Sequence, residues 1–193
     1  MLKRKIILAS RSAARRKLLK DIGLKFSICS SGVREKRIIK TNCGDLVVDN
    51  AMAKATDIAG RFSSGIVIAA DTVVLVGKRI IGKPKNIKDA FRTLKLLSQK
   101  PQWVYTGIAV IDIDKNKRYS SFDKTKVYMY HLTEKEIRNY FKRVSPLDKA
   151  GSFDIQGFGS VFIDRIEGCY YNVVGLPMAK LAKILKKAGV YVF

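Results

Sequence analysis

The chain has 193 residues, of which 47% are hydrophobic and 28% are charged, a balance typical of a folded globular protein rather than a disordered one. No segment approaches the roughly 20 apolar residues that a membrane-spanning helix needs, so the sequence predicts a soluble protein. A formal net charge of +22 favours anionic ligands, but the basic residues are dispersed along the whole chain, so dedicated nucleic-acid binding is the less favoured interpretation.

Cysteine and histidine are too few for the common metal and disulfide frameworks. Cys29, Cys43 and Cys169 are odd in number and widely spaced, and His131 is the only histidine. A zinc site or a disulfide scaffold therefore lacks ligands or partners. The apolar run over 6–9 is also too short for a signal peptide. We expect a cytoplasmic protein whose residues 1–193 form a single domain.

Apolar periodicity predicts that strands and helices interleave along the chain. The expected elements are a strand over 5–9, a helix over 13–23, a strand over 24–30, a loop over 31–43, a helix over 45–62, a strand over 66–76, a turn over 77–85, a helix over 86–100, a hairpin over 103–132, a helix over 135–144 that a capping box at 133–136 opens, a turn-rich stretch with short strands over 145–177, and a helix over 178–189. This order indicates an α/β protein with a mixed β-sheet flanked by helices.

The start of the first helix has the features of an anion site. Ser10 and Ser12 stand between the first strand and this helix as candidate N-caps. The first amide N–H groups of a helix have no partner within the helix, and they point toward any anion placed there.

Two further motifs are incomplete. The stretch "GKRIIGKP" at 77–84 resembles a phosphate loop, but Pro84 replaces the hydroxyl that binds magnesium, so a hairpin turn is the better interpretation. Lys83 remains a candidate phosphate ligand. Residues 112–123 match a calcium loop only at their first odd positions, and Lys117 replaces the required glycine, so a solvated turn is expected there as well.

Asp71 is the least ordinary polar residue, because it lies inside the apolar strand "VIAADTVVLV". An ionised carboxylate in such a strand loses several kcal/mol of hydration unless it is paired, binds a metal or lies at an open end. The sequence therefore indicates that Asp71 is functional.

Seven blocks of the sequence together resemble one known family. They are "LASRSAARRKLL", "GVRE", "AMAKA", "VIAADTVVLVGKRIIGKP", "VYTG", "KAGSFDIQGFG" and "YYNVVGLP", in that order. The chain is similar to the Maf family, the septum-formation-inhibitor-like nucleotide pyrophosphatases, from residue 6 to about 188. The resemblance implies a metal-dependent hydrolase that converts a nucleoside triphosphate to the monophosphate and pyrophosphate. It also implies an elongated Maf/ITPase-like fold with two lobes around a central substrate cleft, often as a homodimer.

The resemblance also implies roles for individual residues. Those matching catalytic positions are Asp71, Glu35, Lys54 and Lys83; those matching substrate-binding positions are Ser10, Ser12, Ala14, Arg15, Thr72 and Gln156. Asp71 and Glu35 are expected either to bind a divalent cation, Mg²⁺ or Mn²⁺, or to accept a proton from the attacking water. Arg15, Lys54 and Lys83 are candidates for binding the polyphosphate.

One departure from the family pattern bears on the nucleotide. The commonest signature reads S-P-R-R, whereas Ser12 is followed here by Ala13, Ala14 and Arg15. Thr72 and Gln156 are similar to the branch that acts on dTTP and UTP, but Ala14 is not. The branch that acts on 7-methyl-GTP differs at all three positions associated with substrate choice. We therefore expect a pyrimidine-preferring or broadly tolerant enzyme.

Two alternatives stay open at this stage. One is an enzyme that prefers 7-methyl-GTP. The other is a protein without turnover that binds nucleic acid or regulates division, which the +22 charge and the family's historical name suggest. A pure polyanion binder gains nothing from burying an acid such as Asp71, so we expect turnover.

Overall fold

The computed structural model describes residues 4–38 and 42–192. Its strands and helices in chain order are β1 (Ile6–Leu8), α1 (Ala13–Asp21), β2 (Ser27–Ile28), α2 (Cys43–Ala59), β3 (Ile66–Val76), β4 (Arg79–Ile81), α3 (Ile87–Leu97), β5 (Gln102–Asp112), β6 (Lys117–Met129), α4 (Glu134–Arg143), two 3-10 helices (Ala150–Ser152 and Gly157–Phe162), β7 (Ile163–Glu167), α5 (Tyr170–Val174) and α6 (Met178–Lys187). Within these residues no helix is long and apolar enough to cross a bilayer.

The seven strands form one mixed sheet in the order β2-β1-β3-β5-β6-β7, with β4 paired to β3. β1 runs parallel to both β2 and β3, whereas β3 pairs with β4 and β6 pairs with β7 in antiparallel fashion. The predicted α/β class with a mixed sheet is confirmed.

The chain divides into two compact units, and each has its own apolar core. The first unit comprises the described residues up to Asp71, then Thr106–Asp123, and those from Gly175 onward. Its core packs the inner face of α2 onto β1, β3 and β5, with these buried side chains: Ile7, Ala9, Ala51, Ala55, Ile58, Val67, Ala69, Ala109 and Ile111.

Gly107 fixes how closely α2 approaches the sheet in this unit. A Cβ atom on Gly107 would lie 2.3 Å from the backbone carbonyl of Val47, which is closer than any real contact. Because only glycine fits there, the sequence sets the depth at which α2 lies on β5. This matters because α2 carries Lys54.

The second unit comprises Thr72–Tyr105 and Lys124–Val174. Here α3 and α4 supply much of the core, in which the rings of Tyr140 and Phe162 meet edge to face with centroids 5.0 Å apart. The predicted capping box is present, since Thr133 and Glu136 bind each other's backbone N–H groups.

Most element predictions are confirmed, and the differences have local causes. The strand predicted over 24–30 is reduced to two residues. α2 begins at Cys43 rather than 45, because the side chain of Asn42 accepts a hydrogen bond from Asp45 N at 2.9 Å and so caps the helix earlier. Residues 39–41 of the predicted loop lie outside the described residues. The helix α5 was not predicted, because five residues are too few to show helical periodicity.

Both incomplete motifs form turns, as expected. The stretch at 77–84 includes β4, which returns antiparallel to β3 around Gly77, whose φ is +56°. In the second motif, Asp112 and Asp114 both accept hydrogen bonds from the guanidinium of Arg4. Their carboxylates are therefore engaged by a cation of the protein itself.

Candidate active site

Asp71 lies within β3 and is 2% exposed. Both of its carboxylate oxygens have partners on α2. Oδ1 accepts a hydrogen bond from Lys54 Nζ at 2.8 Å, and Oδ2 accepts one from Asn50 Nδ2 at 2.8 Å. The hydration that the acid loses on burial is thus replaced by one charged and one neutral donor.

Asn50 and Lys54 reach the same acid because they are four residues apart on one helix. Side chains at this spacing lie on the same face, with Cβ atoms roughly 5–6 Å apart. Each also contacts the segment that carries Glu35: Lys54 Nζ donates to Glu35 Oε1 at 2.5 Å, and Asn50 Nδ2 donates to Lys36 O at 3.0 Å. α2 therefore holds β3 and the 33–38 segment together.

Glu35 is a half-buried carboxylate between two cations. Its Oε1 binds Lys54, and its Oε2 pairs with the guanidinium of Arg37. Burial pushes the pKa of Glu35 upward, but the hydrogen bond and charge of Lys54, helped by the charge of Arg37, outweigh this and lower the pKa to about 2. Glu35 is therefore ionised at any physiological pH.

The start of α1 lies beside this cluster through Arg15. Ser12 is the N-cap of α1, and Ser10 Oγ accepts a hydrogen bond from Ser12 N at 3.2 Å. Arg15 is half-buried, and its Nη1 donates to Ala70 O at 3.0 Å, on the residue before Asp71. Lys54 Nζ approaches the same carbonyl at 3.4 Å. The carbonyl oxygen of Ala70 thus accepts from two of the predicted cationic residues, Arg15 and Lys54.

Arg15 also binds the segment that precedes α6. Its Nε donates to Gly175 O at 2.7 Å, just before α6. Burial lowers the pKa of Arg15 below its usual value, while the negative charges of Asp71 and Glu35 act to raise it. The first turn of α1 contains no acidic residue, so its N-terminus keeps its attraction for anions. Ala14 lies in this turn and is half-buried.

Three predicted site residues belong to the second unit. Thr72 follows Asp71 in β3 and is half-buried, Lys83 is exposed after β4, and Gln156 is half-buried before the second 3-10 helix. The segments that carry Lys83 and Gln156 are joined, because Gly151 N donates to Gly82 O at 3.1 Å.

The backbone around Gln156 is held by its own unit. Gln156 N donates to Asp154 Oδ1 at 2.9 Å, and Asp154 N donates to the hydroxyl of Tyr140 at 3.1 Å. Burial raises the pKa of Tyr140 to about 12, so this phenol remains neutral. The predicted site residues thus form two groups, one in each unit, and each group is held by local hydrogen bonds.

Asp71 and Glu35 are the residues of the first group that suit a metal ion. Their oxygens converge on a single ammonium, which shows that the two carboxylates can serve one cation. In the described part of the chain, three or more His, Cys, Asp or Glu side chains are nowhere grouped as a metal cage. Two carboxylates with the other positions left to phosphate and water match the way in which Mg²⁺ is bound beside a nucleotide.

Asn50 is the site residue that the sequence analysis missed. It is 3% exposed and lies on the buried face of α2, between the apolar positions Val47 and Ala51. The available signal was the spacing: a polar side chain on the apolar stripe, one turn before Lys54. That signal indicated burial but gave no partner.

Comparison with known proteins identifies the family of the chain. The sequence model described as Maf-like protein matches residues 5–188. Proteins named dTTP/UTP pyrophosphatase are similar over nearly their full length: that of Methanosarcina barkeri is 43% identical (98% of this chain, 97% of the relative), that of Carboxydothermus hydrogenoformans 41% (96% and 99%), and that of Bacillus cereus strain ZK 44% (97% and 97%). The solved structure of the Staphylococcus aureus Ham1 protein overlaps 66% of this chain and 72% of its own, with 14% identity and a TM-score of 0.46. The chain belongs to the Maf family.

Proposed function

We propose that this protein is a nucleoside triphosphate pyrophosphatase that prefers dTTP and UTP. It hydrolyses the anhydride between the α- and β-phosphates, so that water and the triphosphate give a nucleoside monophosphate and pyrophosphate. The names of relatives at 41–44% identity support this assignment.

The observation that carries the proposal is the buried acid Asp71 with its partners. A strand residue placed only for packing would be apolar, since replacing a buried ion pair with hydrophobic residues is often neutral or stabilising. Asp71 instead lies with Glu35 around one lysine, and Arg15 binds the adjacent carbonyl. Two acids among cations are what hydrolysis of a metal-bound polyphosphate requires.

The cationic residues have the task of binding the triphosphate, which carries about four negative charges and needs several cationic partners. Arg15 and the N-terminus of α1, capped by Ser12, offer donors in the first unit. Lys54 binds Asp71 directly. Lys83, an exposed lysine, is a further proposed phosphate ligand, as the family resemblance implies. Their charges stabilise the negative charge that develops on the phosphoryl oxygens.

A divalent cation, Mg²⁺ or Mn²⁺, is part of the proposal, with Asp71 and Glu35 as its protein ligands. When bound, it supplies a Lewis acid and lowers the pKa of a coordinated water. Lys54 binds both carboxylates, and the alternative role for either of them is to accept a proton from the attacking water. The two roles of Asp71 are separable: losing a ligand raises the Mn²⁺ concentration needed for activity, whereas losing a base lowers kcat at saturating Mn²⁺.

Base recognition is assigned to Gln156, whose amide can donate to and accept from one edge of a base. The backbone contacts that fix Gln156 through Asp154 support a role that depends on geometry. Thr72 and Gln156 match the branch that acts on dTTP and UTP, as do the names of the relatives, whereas Ala14 differs from the commonest signature. We therefore expect dTTP and UTP to exceed 7-methyl-GTP in kcat/KM.

The test is a panel of ordinary and modified nucleoside triphosphates, incubated with Mg²⁺ or Mn²⁺ and scored for pyrophosphate against orthophosphate. We expect pyrophosphate from dTTP and UTP, and a loss of about 100-fold or more in Asp71→Asn, which keeps the shape of the side chain and removes its charge. Asp21→Asn is the matched control, since Asp21 is paired with Lys17 on the surface. Equal rates for Asp71→Asn and wild type would refute the assignment.

The same experiment decides the rival function. A protein that binds nucleic acid without turnover would show salt-sensitive DNA binding and no pyrophosphate release.

A cytoplasmic homodimer completes the proposal, since the family resemblance implies a dimer. Light scattering on the purified protein measures the oligomeric state.

A further inference from the structure

Asn50 uses its whole amide inside the first unit. Nδ2 donates to Asp71 Oδ2 at 2.8 Å and to Lys36 O at 3.0 Å, while Oδ1 accepts from Lys36 N at 2.9 Å. A primary amide has two N–H donors and one carbonyl acceptor, so both donors and the acceptor are engaged. An exposed or apolar residue would suffice if this position served helix formation alone.

These bonds close a ring with those of Lys54. Lys36 directly follows Glu35, and Lys54 binds both Glu35 and Asp71. Each acid is therefore tied to α2 at two points. One oxygen of Asp71 binds Asn50 and the other binds Lys54. In the Glu35 segment, the backbone of Lys36 binds Asn50 and the side chain of Glu35 binds Lys54.

A bound substrate should affect the hydrogen bonds of Lys54 and Asn50 differently. The ammonium of Lys54 is attracted to the charges of a triphosphate, so its bonds to Asp71 and Glu35 compete with phosphate. The amide of Asn50 is neutral and is 3% exposed. Because the amide carries no charge, its three bonds do not compete with phosphate as those of Lys54 do.

We infer that Asn50 is a positioning residue, which keeps Asp71 and the Glu35 segment in register while Lys54 turns to the phosphates. This inference rests on the proposed function, because it assumes that phosphates and a metal ion enter the site. Asn50 contacts Asp71 and the backbone of Lys36, and no contact with the substrate is proposed for it. Its effect passes through the orientation of Asp71 and through the backbone of Lys36.

Two substitutions separate these contacts. Asn50→Leu is similar in size and removes all three hydrogen bonds. Asn50→Asp keeps an acceptor for Lys36 N but removes the donors to Asp71 and to Lys36 O. Asn172→Leu is the matched control, since Asn172 is a fully buried asparagine of the second unit that donates to Val104 O and to Thr125 Oγ1.

The first measurement is hydrogen exchange of the Lys36 amide in the metal-free protein. We expect protection in wild type and in Asn50→Asp, and faster exchange in Asn50→Leu. The second is Mn²⁺ binding by calorimetry, where we expect Asn50→Leu to bind about 10–100-fold more weakly, as found for residues that orient metal ligands. The third is turnover, where kcat should fall by a similar factor of about 10–100 with little change in KM.

The control variant should behave differently from the Asn50 variants. Asn172→Leu should lower the melting temperature and leave both Mn²⁺ affinity and Lys36 exchange unchanged. If Asn50→Leu keeps the wild-type Mn²⁺ affinity and Lys36 protection, the inference is overturned. Should Asn50→Leu fail to fold, Asn50→Ala removes the same three hydrogen bonds without added bulk, and wild-type Mn²⁺ affinity in that variant also overturns the inference. If wild type hydrolyses no triphosphate, the proposed function fails, yet exchange and Mn²⁺ binding still report on Asn50.

Discussion

The side chain of Lys54 binds both Asp71 and Glu35, and replacing it by methionine tests the electrostatic basis of the site. Methionine keeps a long, flexible apolar stem and removes the ammonium. The variant leaves two carboxylates facing one another, one of them deep in β3. We expect Lys54→Met to be destabilised at neutral pH and to lose activity.

The magnitude follows from burial. The side chains of Asp71 and Lys54 are 3% and 12% exposed, and that of Glu35 is 29% exposed. Removing one partner of a buried ion pair costs about 3–5 kcal/mol. Because Asn50 still binds Asp71 and Arg37 still binds Glu35, we place Lys54→Met near the lower end, at about 3 kcal/mol. At roughly 2–4 °C per kcal/mol for a chain of this length, the melting temperature should fall by about 6–12 °C.

The assay is thermal and urea unfolding at neutral and mildly acidic pH, with and without Mn²⁺. Without Lys54, Glu35 loses the interaction that most lowers its pKa, so protonating this carboxylate at acid pH should recover part of the lost free energy of unfolding. Mn²⁺ should stabilise Lys54→Met more than wild type, because the ion replaces the missing cation. Lys17→Met is the control: it breaks an exposed pair with Asp21 and should change stability by less than about 0.5 kcal/mol.

The electrostatic reasoning is refuted if Lys54→Met has the same melting temperature as wild type at neutral pH. It is also refuted if acid pH or Mn²⁺ affects both proteins equally, since the carboxylates would then not depend on Lys54. A loss of activity with unchanged stability would mean that Lys54 serves the substrate alone.

Three further predictions concern single residues. Gln156→Glu should change the ranking of nucleotides by kcat/KM more than it changes the total rate; an unchanged ranking removes Gln156 from base recognition. Glu35 has a folded pKa of about 2 against an ordinary 4.5, so its contribution to stability is present above about pH 4.5 and is lost as the pH falls toward about 2. Glu35→Gln should flatten this part of the acid dependence in urea unfolding, and an unaltered profile would contradict the pairing with Lys54. Arg15→Lys keeps the charge but loses the simultaneous contacts with Gly175 O and Ala70 O, so KM for the triphosphate should rise about 10-fold; an unchanged KM would show that the fixed guanidinium is not needed.

The fold was predictable where periodicity is long or a cap is explicit. β3 was expected over 66–76 and occupies the same residues, because an apolar run of this length, interrupted only at 71–72, has few alternatives. The capping box at Thr133 and Glu136 predicted the start of α4. The length of β2 was overestimated. A two-residue strand depends on pairing with its neighbour β1 and has too few residues to show periodicity in the sequence.

The site was predictable in its residue types and less so in its contacts. Asp71 stood out because its burial contradicts its charge, and Lys54 lay on a predicted helix. That these two meet depends on residues 17 positions apart in sequence and on the depth of α2 over the sheet, and neither is encoded by local spacing. Asn50 could not be assigned a role for the same reason, since its partners come from β3 and from the 33–38 segment.

The depth of α2 connects the fold to the chemistry. Val47 contacts Gly107 of β5 at backbone distance, and Asn50 and Lys54 extend from the same helix one and two turns further along. A side chain at 107 would force α2 away from the sheet by an ångström or more, which exceeds the tolerance of hydrogen bonds that are 2.8 Å long. Asp71 would then be buried without donors, and that cost is several kcal/mol. The close approach at Gly107 is therefore a condition for placing an acid in β3, and the small residue and the buried carboxylate depend on one another.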